Sequence, residues 1–179
     1  MGKNKRKGLI IVHTGDGKGK TTAAIGIALR AVGHNFKVLM AQFIKGSWHY
    51  GELTAVKKLS PYFEIVPLGK GFVSLKEEEP DPENIRIVES AWNFCKERIT
   101  SGIYDIIILD EINYVIYYKL LSVEKVLNIV INKPENLHLI LTGRNAHPKI
   151  LEIADLVTEM KEIKHPFKKG IKAQKGIEF

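Results

Sequence analysis

Residues 15–22 read Gly15-Asp16-Gly17-Lys18-Gly19-Lys20-Thr21-Thr22, shortly after the apolar run Leu9-Ile10-Ile11-Val12 and just before the helical pattern that begins at Ala23. A strand, a glycine-rich turn and a helix in this order form a phosphate-binding loop. Glycines let backbone N–H groups close around phosphate oxygens, because a Cβ would block the approach and the unusual backbone angles. Lys20 supplies a mobile positive charge, Thr21 can offer a hydroxyl to a bound Mg²⁺, and the amino end of the following helix adds its partial positive charge. The loop is short. In the spacing G-x-x-x-x-G-K-[ST] the first glycine would stand at Thr14, whereas here it is Gly15.

A second acidic motif completes the chemistry. Ile106-Ile107-Ile108-Leu109 ends in Asp110-Glu111, and carboxylates at the end of an apolar strand hold Mg²⁺ directly or through water beside such a loop. This strand is expected next to the phosphate-loop strand, with Asp110 and Glu111 near Thr21. A neighbouring glutamate often orients a water for hydrolysis. Thr142-Gly143-Arg144 ends another apolar run, and the flat five-donor fork of Arg144 suits a phosphate. Arg30, further along the first helix, either reaches the nucleotide or faces solvent. These residues describe an ATP-binding, Mg²⁺-dependent protein. They leave open an ATPase or kinase that uses Glu111 to activate water or a hydroxyl.

Apolar strand-like runs alternate with helical patterns, the signature of a mostly parallel α/β sheet with helices on both faces. Strands are expected at 9–12, 37–43, 63–66, 105–109, 137–141 and 156–160. Helices are expected at 20–32, with Gly33 in the left-handed position after it, at 52–59, from 82 to about 101, at 113–119, at 123–132 behind a Ser122 cap, and at 147–154. Residues 69–81, with two glycines, three consecutive glutamates and a proline, read as a long mobile loop. No repeat or linker divides the chain, so 1–179 is read as one domain, with a basic flexible end at 1–7 and a basic segment at 161–179 packed on it.

The net charge of +7 invites a nucleic-acid reading, but its placement argues otherwise. Four basic residues lie in the first seven and six lysines in the last nineteen, with no recognised nucleic-acid-binding motif between them. No apolar run is long enough to cross a bilayer or to form a signal-peptide core, so the chain is expected to be cytoplasmic, with no membrane and no nucleic acid among its partners. The single cysteine, Cys95, excludes an internal disulfide and reads as a small core residue on a helix.

Several further segments stand in one order with these motifs: Arg30-Ala31-Val32-Gly33-His34, Gln42-Phe43-Ile44-Lys45-Gly46 with Gly51-Glu52, Ala154-Asp155, Lys164-His165-Pro166-Phe167, and Ala173-Gln174-Lys175-Gly176-Ile177-Glu178. Together they resemble the P-loop type of ATP:corrinoid adenosyltransferase from about Gly8 onward, and the shortened loop is itself a mark of that family. The resemblance implies a RecA-like P-loop fold and transfer of the 5′-deoxyadenosyl group of ATP to a cobalt(I) corrinoid, with release of triphosphate. Lys20, Thr21 and Glu111 would be catalytic, and Thr21, Glu111 and Asp110 would hold Mg²⁺. Residues Gly15 through Thr22, with Arg30 and Arg144, would bind ATP. The glutamate that suggested hydrolysis becomes a metal ligand. The resemblance also implies a homodimer, and a flavoprotein reductase is the expected source of cobalt(I). On the corrinoid side, Phe72 matches a family aromatic, Ser74 stands where the family has a tryptophan, and Trp48 is a second aromatic candidate.

Overall fold

The computed structural model describes residues 7–46, 50–71 and 81–178. Six strands, β1 (Ile10–Thr14), β2 (Val38–Gln42), β3 (Phe63–Pro67), β4 (Ile106–Asp110), β5 (His138–Thr142) and β6 (Leu156–Glu159), form one sheet in the order β3-β2-β4-β5-β1-β6. Every neighbouring pair is parallel. Parallel strands need crossovers, and these are α1 (Lys20–Val32), α2 (Gly51–Ala55), α3 (Pro82–Thr100), α4 (Ile112–Tyr117), α5 (Val123–Ile131) and α6 (Pro148–Ile153). The expected helix over 52–59 is α2 followed by a 3₁₀ turn at Val56–Leu59.

Strand alternation sends side chains to two faces, and each face has its own core. Ile11, Met40, Ile108 and Ile140 pack with Ala24, Ala28 and Ala31 of α1, a helical stripe whose methyl side chains let the helix lie close to the sheet. The opposite face, with Val12, Leu39, Leu109 and Leu141, packs with Trp92, Cys95 and Ile99 of α3 and with the inner sides of α4, α5 and α6. Cys95 is fully buried and its thiol is pushed up to about 12 by desolvation, as suits a core position. Ser122 caps its helix as expected, accepting from Lys125 N–H, and Pro82 and Pro148 open theirs; Asp81, expected only as the end of a loop, caps α3 by accepting from Glu83 N–H.

Two expectations are corrected. Gly33 is right-handed, with φ −60°. The helix winds on to His34, and the left-handed residue is Asn35 at φ 60°. There Phe36 N–H returns to Ala31 O at 3.1 Å and Asn35 N–H to Val32 O at 2.9 Å, the paired bonds that close a helix end on a left-handed residue. Asn tolerates that conformation better than most side chains, so glycine was not required. The second correction concerns the sheet. The strand ending in Asp110 is not beside β1, because β5 lies between them.

Candidate active site

The sheet itself assembles the site. Gln42 pairs in register with Asp110, Leu109 with Leu141, and His13 with Thr142. One row across the carboxyl ends of β2, β4, β5 and β1 therefore reads Gln42, Asp110, Thr142, His13, and all four are buried. Two residues earlier the same face carries Met40, Ile108, Ile140 and Ile11. The apolar rows beneath α1 thus end in a polar row at the sheet edge where ligands of such folds bind. α1 starts at this edge and crosses over β5 and β4, which brings Thr21 to Asp110 across the intervening strand. Thr21 Oγ1 donates to Asp110 Oδ1 at 2.8 Å, Thr142 Oγ1 donates to the same oxygen at 2.7 Å, and Gln42 Nε2 approaches Oδ2 at 3.4 Å.

The phosphate loop is held from several directions. Lys20 is buried, and its ammonium donates to Gly15 O and to Gly17 O, each at 2.7 Å. Burial lowers its pKa from the ordinary lysine value, while Glu111 pulls it back up and Arg144 lowers it. Arg144 Nη2 donates to Asp16 O at 3.2 Å from a side chain that is largely exposed. Gly15 and Gly19 have φ of 94° and 111°, so both need the freedom of glycine. Just past β6, Met160 N–H donates to Thr14 O at 2.9 Å and Met160 O accepts from Gly17 N–H at 2.7 Å.

Glu111 sits in a strained position. Its φ is 64°, unusual for a residue with a side chain, and its N–H donates to Thr142 Oγ1 at 2.9 Å. Gly143, with φ 126°, admits it: a Cβ on Gly143 would lie 3.1 Å from Glu111 Oε2 and 3.0 Å from Tyr114 N. Desolvation, then the charge of Asp110, raises the Glu111 carboxyl to about 6, against the pull of Lys20 and Lys45. Burial raises Asp110 as well. Two adjacent carboxylates short of positive charge suit a divalent cation. Both Asp110 oxygens already accept from the protein, so Glu111 and the Thr21 oxygen are the better placed to ligate. Among the described residues no three His, Cys, Asp or Glu side chains gather to cage a metal. The donor set therefore fits a hard cation that takes its remaining ligands from phosphate and water.

A family model described as ATP:corrinoid adenosyltransferase BtuR/CobO/CobP matches residues 6–179, which includes every residue of this site. The chain belongs to the ATP:corrinoid adenosyltransferase family. A corrinoid adenosyltransferase from Sinorhizobium sp. is 42% identical over 99% of this chain and 83% of its own length, and one from Escherichia coli K12 is 40% identical over 97% and 86%. Two solved structures share the fold alone: flagellar accessory protein FlaH from Methanocaldococcus jannaschii (TM-score 0.53, 14% identity, 88% of this chain and 73% of that one) and a KaiC-like protein from Pyrococcus horikoshii (TM-score 0.52, 16% identity, 88% and 75%).

For this adenosyltransferase family member the structure brings together the 15–22 loop, Asp110, Glu111 and Arg144. Arg30 is elsewhere. It is exposed and lies ten residues beyond Lys20 on α1, about 15 Å along the helix at the standard rise. Trp48, Phe72 and Ser74, and the loop expectation over 72–80, lie outside the described residues. Sequence reasoning gave no role to Thr142, Gln42, Gly143 or Met160. The first three stand in the Gln42–Gly46 and Thr142–Arg144 motifs, at or just past the ends of apolar strands, and that position was the available signal. Met160 had none, because most of its contacts are made by backbone just past a strand distant in sequence.

Proposed function

We propose that this chain transfers the 5′-deoxyadenosyl group of ATP to the cobalt(I) of a corrinoid and releases triphosphate. The observation that carries this reading is the family match over residues 6–179, spanning the loop and both carboxylates. In the reaction a cobalt(I) electron pair attacks the ribose 5′ carbon, the cobalt–carbon bond forms, and the carbon–oxygen bond breaks with its electrons leaving on the triphosphate. No proton moves, so no general base is required. The demand on the protein is electrostatic: it must stabilise a leaving group that gains negative charge.

Lys20 and the loop amides leading into α1 hold the triphosphate in this reading, with Arg144 at its edge. Thr21 and Glu111 would hold Mg²⁺, and Asp110 orients Thr21 by accepting its hydrogen bond, which turns the oxygen lone pairs outward. The cation, when bound, neutralises charge on the triphosphate. Arg30, about 15 Å along α1 from Lys20, holds no part of the triphosphate in this reading and either meets the ribose or faces solvent. We assign the corrinoid side to Phe72 and Trp48 on the family resemblance. The same resemblance supports a cytoplasmic homodimer that receives cobalt(I) from a flavoprotein reductase, with residues 1–179 acting as one domain. No helix of the described residues is long and apolar enough to cross a membrane.

The test supplies ATP, Mg²⁺ and a corrinoid kept at cobalt(I), then follows the corrinoid spectrum and the phosphate products. An adenosylated corrinoid with intact triphosphate is the expected result. Orthophosphate or ADP with an unchanged corrinoid would sink the proposal and favour the ATPase or kinase reading.

A further inference from the structure

All three glycines of the phosphate loop face one residue. A Cβ built on Gly15 would lie 2.5 Å from Met160 O and 2.8 Å from Met160 N; on Gly17, 2.8 Å from Met160 O and from the Lys161 carbonyl; on Gly19, the nearest atom is Met160 Sδ at 3.3 Å. Contacts below 3 Å against backbone cannot be relieved by a side-chain rotation. Gly17 is the decisive case, since its φ is not positive and conformation alone would not demand glycine. The main chain of Met160 also brackets the loop, receiving Gly17 N–H and donating to Thr14 O. Lys20 holds the carbonyls of two of the same glycines.

We infer that Met160 is a positioning residue for the triphosphate. A loop one residue shorter than the usual spacing has fewer atoms with which to hold its own curve, and the chain leaving β6 supplies the mould. Gly17 N–H is used inside the protein, so it is withdrawn from phosphate binding, and the amides that remain are those leading into α1. The Met160 backbone sets the path of residues 14–17. Its thioether, resting over Gly19, sets the turn that aims Lys20 and Thr21. Thioethers fill irregular gaps well, and their contact is lost in alanine but largely kept in leucine.

The inference rests on the phosphate loop binding triphosphate, so the probe is inorganic tripolyphosphate, titrated by calorimetry without corrinoid. If the wild-type protein binds it yet transfers no adenosyl group, the proposed function fails and the role of Met160 stands. If the wild-type protein does not bind it, the role of Met160 falls as well. Met160→Ala is expected to weaken tripolyphosphate binding about tenfold and to raise KM for ATP similarly, with kcat and the corrinoid KM within about twofold, and Met160→Leu to bind within about twofold of wild type. Unchanged binding by Met160→Ala, a fall in kcat at constant KM, or a Met160→Leu as weak as alanine would overturn the assignment.

A second route perturbs the wild-type side chain after folding. Hydrogen peroxide transfers one oxygen atom to a thioether and leaves as water. Of the described methionines, Met40 is fully buried and Met160 is not. Peroxide-treated wild type, with sulfoxide at Met160 confirmed by peptide mass, should bind tripolyphosphate about tenfold more weakly, while treated Met160→Leu keeps its affinity. Normal binding by the oxidised wild type would refute the role.

Discussion

Thr21 Oγ1 donates to Asp110 Oδ1 at 2.8 Å although β5 lies between the strands that carry their two motifs. The helix start makes this reach, because α1 leaves the end of β1 and crosses toward β2. Thr142, on the intervening strand, donates to the same carboxylate oxygen. Asp110 thus organises the site by drawing Thr21 and Thr142 onto one oxygen, and in the proposed reading Glu111 and Thr21 are the ligands of the cation.

Lys20→Ala should fold and fail to react. The lysine is buried and pays a desolvation penalty, so its loss costs little net stability, but the charge that meets the leaving triphosphate disappears. Turnover should fall by roughly 10²-fold or more, in line with removal of a single oxyanion-stabilising group, while the circular dichroism spectrum and melting profile stay near wild type. Near-normal turnover would show that the loop is not the catalytic centre.

Glu111→Gln should separate stability from activity. The carboxylate is desolvated and crowded by Asp110, so the neutral amide is expected to hold or raise the melting temperature of the metal-free protein at neutral pH. Mg²⁺-dependent turnover should nonetheless fall by about 10²-fold as the ligand charge is lost. A variant that is both less stable and fully active would contradict this account of the site.

Gly17→Ala should destabilise the protein even with no nucleotide present. A Cβ there meets the Met160 and Lys161 backbone at 2.8 Å, an overpacking that costs about 1–3 kcal/mol. Denaturant melts of ATP-free protein measure it directly. If the only effect were on ATP binding, phosphate and not Met160 would be the reason for that glycine.

His13 makes stability depend on pH in a stated direction. It is buried, neither ring nitrogen has a hydrogen-bond partner among the described residues, and burial lowers its pKa below the ordinary value of 6.5. The unfolded chain therefore takes up a proton that the folded one refuses, and stability falls as pH drops below about 6.5 toward the folded value. His13→Phe removes this contribution. The gap between wild-type and variant stability curves should be flat above pH 7 and should widen below it; parallel curves from pH 8 to 5 would disprove the assignment.

Cys95 offers a probe of global unfolding. With the thiol fully buried and its pKa pushed up to about 12, alkylation should not proceed from the native state. Its rate should follow the unfolding equilibrium across a denaturant series. Fast labelling in native buffer would require a local opening of α3.

By itself the sequence determined the elements and their chemistry. Leu9 to Val12, the glycines, Lys20 and Thr21 specify a strand, a phosphate loop and a helix because local hydrogen bonding and backbone sterics act within a few residues. Asp110 and Glu111 were legible for the same reason, two consecutive acids at the end of one apolar strand. The family followed from motif order. What only the tertiary structure decided was who stands next to whom: β5 between β1 and β4, Thr142 and Gln42 on Asp110, Gly143 making room for Glu111, and Met160 against all three loop glycines. Strand order depends on how crossovers pack over a sheet, a long-range balance of burial that leaves no local signal. The contacts of Met160 run largely through backbone atoms that every residue possesses, so its side chain carried little mark of them.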